Sequence, residues 1–133
     1  MRKISENNCI HELGLHLIFC TKYRKPIFSG VVEIELREIL GQTCAEYGWK
    51  VQVLDIMPDY VHLFIQVGPE DRPTEISRTL KSISAVHIFG KFPKLKGRRF
   101  WGSGLWSRGC YYGSVGNVND RPLRDIKKQL GNT

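Results

Sequence analysis

Tyr60 and His62 stand two residues apart in the stretch MPDYVHLFIQV, residues 57–67. On an extended chain that spacing sends both side chains to one face, with Phe64 and Gln66 beyond them. An imidazole there can ligate a divalent cation or move a proton near neutral pH. A phenol can attack as a nucleophile when something activates it. Asp59 lies just before the strand, at its mouth. A single histidine on a strand is more often structural or solvated, so this pair needs a context before it counts as a site.

The cations supply one. From Lys94 to Thr133 the chain carries Lys94, Lys96, Arg98, Arg99, Arg108, Arg121, Arg124, Lys127 and Lys128, opposed only by Asp120 and Asp125. That last third accounts for the whole net charge of +7. A second cluster, Lys22, Arg24 and Lys25, follows the first strand. Clustered cations favour a polyanion, because each phosphate neutralised releases counterions; the alternative is a solvated basic face. Arg98, Arg99, Trp101, Trp106 and Arg108 interleave charge with rings, which suits folded-back single strands. Cations track phosphates while aromatics stack on exposed bases. Packing in a core or a dimer is the competing role for the two tryptophans.

The elements that must position these groups follow from periodicity. HELGLHLIFC, 11–20, reads as a strand that ends at the basic turn TKYRKPIF. Residues 31–47 read as a helix with Leu36, Ile39, Leu40, Thr43, Cys44 and Tyr47 on one face, stopped at Gly48. WKVQVLDI, 49–56, alternates as a strand. Pro58-Asp59 breaks it, and 60–67 is the next strand, with Val61, Leu63, Ile65 and Val67 facing the helices. A second helix is predicted from about Pro73 to Phe89, capped by Asp71 or Thr74, with Ile76, Leu80, Ile83 and His87 on one face. A loop spans 90–104, and LWSRGCYYGSV, 105–115, reads as a strand. A short helix with Pro122 in its first turn closes the chain. The order β-α-β-β-α-β-α predicts an α+β, ferredoxin-like (RRM-like) sandwich: one antiparallel sheet with helices on one face. One domain over residues 1–133 suits this length.

Other classes are disfavoured. No apolar run reaches the roughly 18–20 residues of a membrane helix, and MRKISENNCIHE lacks the apolar stretch of a secretory signal, so a cytoplasmic protein is expected. Cys9, Cys20, Cys44 and Cys110 form no C-x-x-C pair; they read as small apolar fillers rather than zinc ligands or disulfides. His16 alternates with Leu15 and Leu17 and either lines the sheet face near His62 or is structural. His87 reads as structural, and His11 is uninformative.

Four segments in order, FCTKYRKPIF, LDIMPDYVHLFI, LKSISAVHIFGKFPKLK and LWSRGCYYGSVGNV, resemble the single-tyrosine HUH transposases of the insertion-sequence-two-hundred-like group, related to the REP-associated tyrosine transposases. The resemblance runs from about residue 11 to residue 130. It implies a DNA transposase acting on hairpin-forming single-stranded DNA as a homodimer. Two histidines two apart on the central strand would hold Mg²⁺ or Mn²⁺. A tyrosine on the last helix would attack phosphorus and join the DNA 5′ end, and a glutamine four residues later would complete the metal shell. No small-molecule cofactor and no membrane are implied. By that resemblance His62 matches the second histidine and Gln129 the helix glutamine.

Two positions depart from the pattern. Tyr60 stands where the first histidine belongs, and Asp125 (or, by a one-residue shift, Ile126) where the tyrosine belongs. A neutral phenol ligates divalent metal far more weakly than imidazole. A carboxylate can join a metal shell but does not replace a phenolate that attacks and leaves. Cleavage is therefore expected to be weakened or lost, with Tyr60, Tyr111, Tyr112 and Tyr23 as poor substitutes for the nucleophile. Tyr23 is expected to contact DNA or to pack. Lys22, Arg24, Lys25, Lys81, Arg98, Arg99 and Arg108 are the expected DNA contacts, with Ser84 beside Lys81 in the family's Lys-x-x-Ser region.

Overall fold

The computed structural model describes residues 13–99, 104–109 and 111–115. Strand β1, Leu13–Cys20, leads through a 3₁₀ turn, Lys22–Arg24, into helix α1, Gly30–Tyr47. Strands β2, Lys50–Met57, and β3, Tyr60–Val67, follow as a hairpin. Helix α2, Pro73–Lys91, a short helix α3, Pro93–Arg99, and strand β4, Tyr111–Val115, complete the described chain. The sheet is antiparallel in the order β2-β3-β1-β4, which is the ferredoxin-like arrangement read from the sequence. The closing helix expected after residue 119 lies outside the described residues.

Registration places the apolar residues of the two central strands opposite one another. Leu15 faces Ile65, Leu17 faces Leu63 and Phe19 faces Val61. These side chains pack with Leu36, Leu40 and Cys44 of α1 and Ile76, Leu80 and Ile88 of α2. Leu17, Leu36, Leu63, Leu80 and Ile88 lose all exposure, and each such burial stabilises by roughly 1.5–3 kcal/mol. Both helices thus cover the face that carries the odd-numbered residues of β3. Tyr60, His62, Phe64 and Gln66 go to the other, as period-2 alternation demands.

Four sequence expectations shift. Helix α2 buries Ile76, Ser77, Leu80, Ser84 and Ile88, so its core face is rotated from the expected one. Ile83 and His87 lie at its margin, lining a groove beside Ile39 of α1. The α2 cap position is Arg72, with no side-chain cap bond; Asp71 instead accepts from the Gly68 amide at 2.8 Å, closing the turn after β3. Within residues 90–104, where a loop is expected, lies α3, whose Leu95 packs against the core. β4 starts at Tyr111 rather than Leu105, because Leu105 and Trp106 are drawn into the core by the basic turn. Gly48 does end α1, in the left-handed region at φ 79° with its amide on the Ala45 and Cys44 carbonyls, a conformation that costs other residues.

Candidate functional site

Two imidazoles meet on the sheet face opposite the helices. Ile18 pairs with His62 and Phe64 with His16, so the histidines are diagonal neighbours across β1 and β3, a separation that long or aromatic side chains span. His16 Nδ1 lies 3.1 Å from His62 Nε2. The ring centroids are 5.3 Å apart and the planes differ by 14°. That separation exceeds the nitrogen–nitrogen distance by nearly two ring radii. The rings therefore stand edge to edge, nitrogen facing nitrogen, with one proton between them. Asp55, the β2 residue paired with His62, brings Oδ2 to 3.8 Å from His62 Nδ1. A carboxylate on that side favours a proton on Nδ1. At 3.8 Å the carboxylate stands within ion-pair reach of His62 but beyond hydrogen-bond distance, and which ring donates in the imidazole pair depends on the tautomer.

The sheet face around this pair is not open. His62 is 0 % and His16 1 % exposed, with Ile18 and Phe64 similarly buried. Phe64 stacks on His16, centroids 4.2 Å apart and planes within 7°. The face of the sheet away from the two helices is therefore buried around the imidazoles rather than open. Burial holds the His16 imidazole below its ordinary pKa, and its Nε2 has no hydrogen-bond partner among the described residues. Tyr60 is half-buried at the end of the same row.

These residues fit a divalent cation poorly. A ligand must offer its lone pair, and His62 Nε2 is already engaged with His16 Nδ1 at 3.1 Å. The neighbouring donor at the first ligand position is a phenol. Among the described residues no group of three His, Cys, Asp or Glu side chains is placed to hold a metal ion. Gln129 and Asp125 lie outside the described residues.

The basic turn sits at the mouth of this row. Cys20, the last β1 residue, pairs with Tyr60. Beyond it the turn is fastened to the β2–β3 connection. The Thr21 amide donates to the Asp59 carbonyl at 3.0 Å, and the Phe28 amide to the Pro58 carbonyl at 3.0 Å. The Thr21 hydroxyl reaches the Lys25 carbonyl at 2.9 Å. Arg24 Nε contacts Asp59 Oδ2 at 2.8 Å. Tyr23 and Arg24 both take left-handed backbone conformations, φ 62° and 52°, which cost an ordinary residue of order 1–2 kcal/mol each. Lys22 and Lys25 are half-buried, while Tyr23 and Arg24 are exposed. Asp59 is thus the anchor of the basic turn as well as the residue before the strand.

Lys81 holds a latch. Its ammonium donates to the carbonyls of Ser107 (3.1 Å) and Gly109. Three residues on, the Ser84 hydroxyl accepts from the Trp106 indole at 2.9 Å. Trp106 also bridges Thr21 in an isolated antiparallel pair and lies edge-on to Phe19. The Lys22 amide donates to the Leu105 carbonyl. The Lys-x-x-Ser pair therefore ties residues 105–109 to α2, Thr21 and Lys22 tie them to the basic turn, and Trp106 takes a packing role. Arg108 is exposed on that segment. Arg98 and Arg99 end α3; Trp101 lies outside the described residues.

Sequence reasoning placed Tyr60 and His62 on one face and Lys22, Arg24 and Lys25 in one turn, and the structure agrees. It gave His16 beside His62 only as one of two readings. It missed Asp55, whose signal was available: the one acidic residue inside the alternating strand WKVQVLDI. It also missed that Lys81 serves backbone carbonyls. Cys44 behaves as a buried filler, its thiol pushed up to about 11 by burial. Burial likewise raises the Cys20 thiol. No helix among the described residues is long and apolar enough to cross a membrane.

Comparison with known proteins gives a consistent picture. Residues 9–129 match the family model described as transposase, IS200-like. The ISDra2 transposase TnpA of Deinococcus radiodurans is 36% identical over 98 residues, covering 74% of this chain and 69% of that protein. The transposase for insertion sequence element IS200 of Salmonella typhimurium is 27% identical over 116 residues, 86% of this chain and 75% of its own length. Among solved structures, a candidate transposase from Deinococcus radiodurans superposes with a TM-score of 0.80 at 31% identity, covering 99% of this chain and 97% of that one. A REP-associated tyrosine transposase bound to a REP hairpin shares the fold, with a TM-score of 0.56 at 12% identity over 97% of this chain and 68% of the other.

Proposed function

This chain belongs to the IS200-like transposase family, and from that premise we propose that it binds hairpin-forming single-stranded DNA while metal-assisted strand cleavage is weakened or lost. The observation that carries the reading is the state of His62. Its Nε2 faces His16 Nδ1 at 3.1 Å, and Tyr60 occupies the place of its expected imidazole partner. A cation on His62 Nε2 would have to break the imidazole pair and leave His16 Nδ1 buried without its partner, a cost of about 1–3 kcal/mol, or about 5- to 150-fold in affinity. Asp125, where the attacking tyrosine is expected, supplies no phenol.

Binding asks less of the chain. The basic turn is rigidly fastened, Arg108 is exposed beside it, and the +7 net charge favours a polyphosphate. Lys22, Lys25 and Arg108 take phosphates. Arg24 shares its guanidinium with Asp59 and orients the turn. Arg98 and Arg99, the last residues of α3, are further phosphate contacts expected by resemblance. The hairpin in the related REP-associated structure supports the choice of nucleic acid, and a homodimer is the assembly expected by resemblance.

Fluorescence anisotropy with a pool of labelled DNA hairpins carrying single-stranded tails tests the reading. The pool should bind, with affinity falling steeply as salt rises, and more tightly than fully paired duplex of equal length. Equal affinity for hairpins and duplex, or no binding at low salt, refutes it.

A further inference from the structure

Tyr23 carries a backbone strain that its own side chain does not repay. It is an aromatic residue at φ 62°, ψ 16°, a region that bulky side chains rarely adopt. Its ring does not repay that strain by filling the core. The residue is 54 % exposed, while Thr21 and Phe28 on either side of the turn are buried. Strained positions persist where the surroundings over-determine them, and they gather at binding sites. Here the surroundings do so through the Thr21, Phe28 and Arg24 contacts to Pro58 and Asp59, which hold the backbone while Tyr23 projects outward. Lys22 Nζ stands 5.9 Å from the ring centroid. Lys25 lies two residues on, and Tyr60 opens the adjacent strand across from Cys20.

We propose that Tyr23 is a stacking platform for one unpaired base of a single-stranded nucleic acid, with Lys22 and Lys25 taking the flanking phosphates. The inference rests on the single-strand binding reading above and adds the residue that receives a base. A ring on a preset turn loses little freedom when a base covers it. Stacking is tolerant of sequence, because every base offers a flat π-face. The neighbouring lysines supply the phosphate attraction that would bring the strand across the ring.

The test uses the full chain with a labelled hairpin in two forms, one with a single-stranded thymidine tail and one blunt. Tyr23→Gly and Tyr23→Asn remove the ring and insert residues that accept a left-handed backbone; Tyr23→Phe keeps the ring. The ring-less variants should bind the tailed hairpin about tenfold more weakly and the blunt one as wild type does. Their salt slope should be unchanged, since no cation is lost. Tyr23→Phe should stay within about twofold. The melting temperature of Tyr23→Gly should be equal to or above that of wild type, because strain is released. A Tyr23→Gly protein that binds the tailed hairpin like wild type overturns the platform while leaving single-strand binding intact. So does one that melts several degrees lower and weakens on both hairpins alike, since the ring is then structural. Wild type that binds neither form overturns the underlying reading together with this one.

Discussion

Replacing the two buried histidines by phenylalanine, singly and together, isolates the contact on which the site's chemistry turns. His16→Phe keeps a flat ring against Phe64, now stacked at 4.2 Å, and removes both nitrogens. It orphans His62 Nε2, at a cost of about 1–3 kcal/mol. It also removes a buried His16 Nε2 that has no partner among the described residues, a gain of the same order. The two terms offset, and the net change should be within about 1 kcal/mol. His62→Phe loses the same 3.1 Å contact, leaves both His16 nitrogens buried without partners and abandons Asp55. It should destabilise by about 2–4 kcal/mol. The double variant has no orphaned imidazole, so its loss should be smaller than the sum of the singles by about 1–3 kcal/mol. Urea unfolding followed by circular dichroism, at about pH 8 where histidines are ordinarily neutral and at one protein concentration, reads all four proteins. Additivity within about 0.5 kcal/mol would mean that the two rings are not coupled, and the argument against a metal at His62 would lose its footing.

Three other outcomes follow from the same structure. Lys81→Met removes the donor to the Ser107 and Gly109 carbonyls and should speed tryptic cleavage after Arg108 several-fold, with a stability loss of about 1–2 kcal/mol; unchanged cleavage would mean the latch does not hold that segment. Ser84→Ala orphans the buried Trp106 indole and should cost about 1–3 kcal/mol in urea unfolding, whereas a change below about 0.5 kcal/mol would show that the indole finds another acceptor. Glu35 is held below the ordinary glutamate range chiefly by its hydrogen bond from His87, at 2.8 Å, with Lys91 assisting. A depressed carboxyl contributes stability above its unfolded pKa, near 4.3, and loses it as pH falls through the lower folded value. Glu35→Gln should therefore be less stable than wild type at pH 7 and approach it below about pH 4; a constant difference across that range would contradict the assignment.

Much of this was legible because the sheet imposes a period of two. The alternation in YVHLFIQV gives the face of His62 without reference to any other strand, and Pro58-Asp59 and Gly48 mark breaks through their backbone preferences. What was not legible depends on register between strands. Nothing in the local pattern of HLIFC says that Ile18, and not His16, pairs with His62, so the diagonal meeting of the two imidazoles had to be seen. Lys81 misled for a related reason: a lysine on an amphipathic helix reads as a solvent-facing cation, yet the 105–109 segment returns beneath it and offers carbonyls. Leu105 and Trp106 read as the start of a strand by composition, but the basic turn claims them first. Tyr23 was expected either to contact DNA or to pack, but its backbone conformation gave no signal, since a left-handed backbone at a non-glycine residue is imposed by tertiary fastening rather than by propensity.

The account stands or falls on whether this chain joins itself to DNA. Incubation of the protein with a tailed hairpin and Mn²⁺, followed by a denaturing gel, reads that directly. Wild type should shift the hairpin on a native gel and leave a far weaker covalent band under denaturing conditions than Tyr60→His combined with Asp125→Tyr, or none. A metal-dependent covalent band from wild type as strong as that of the double variant would contradict weakened cleavage and place a working nucleophile in this site.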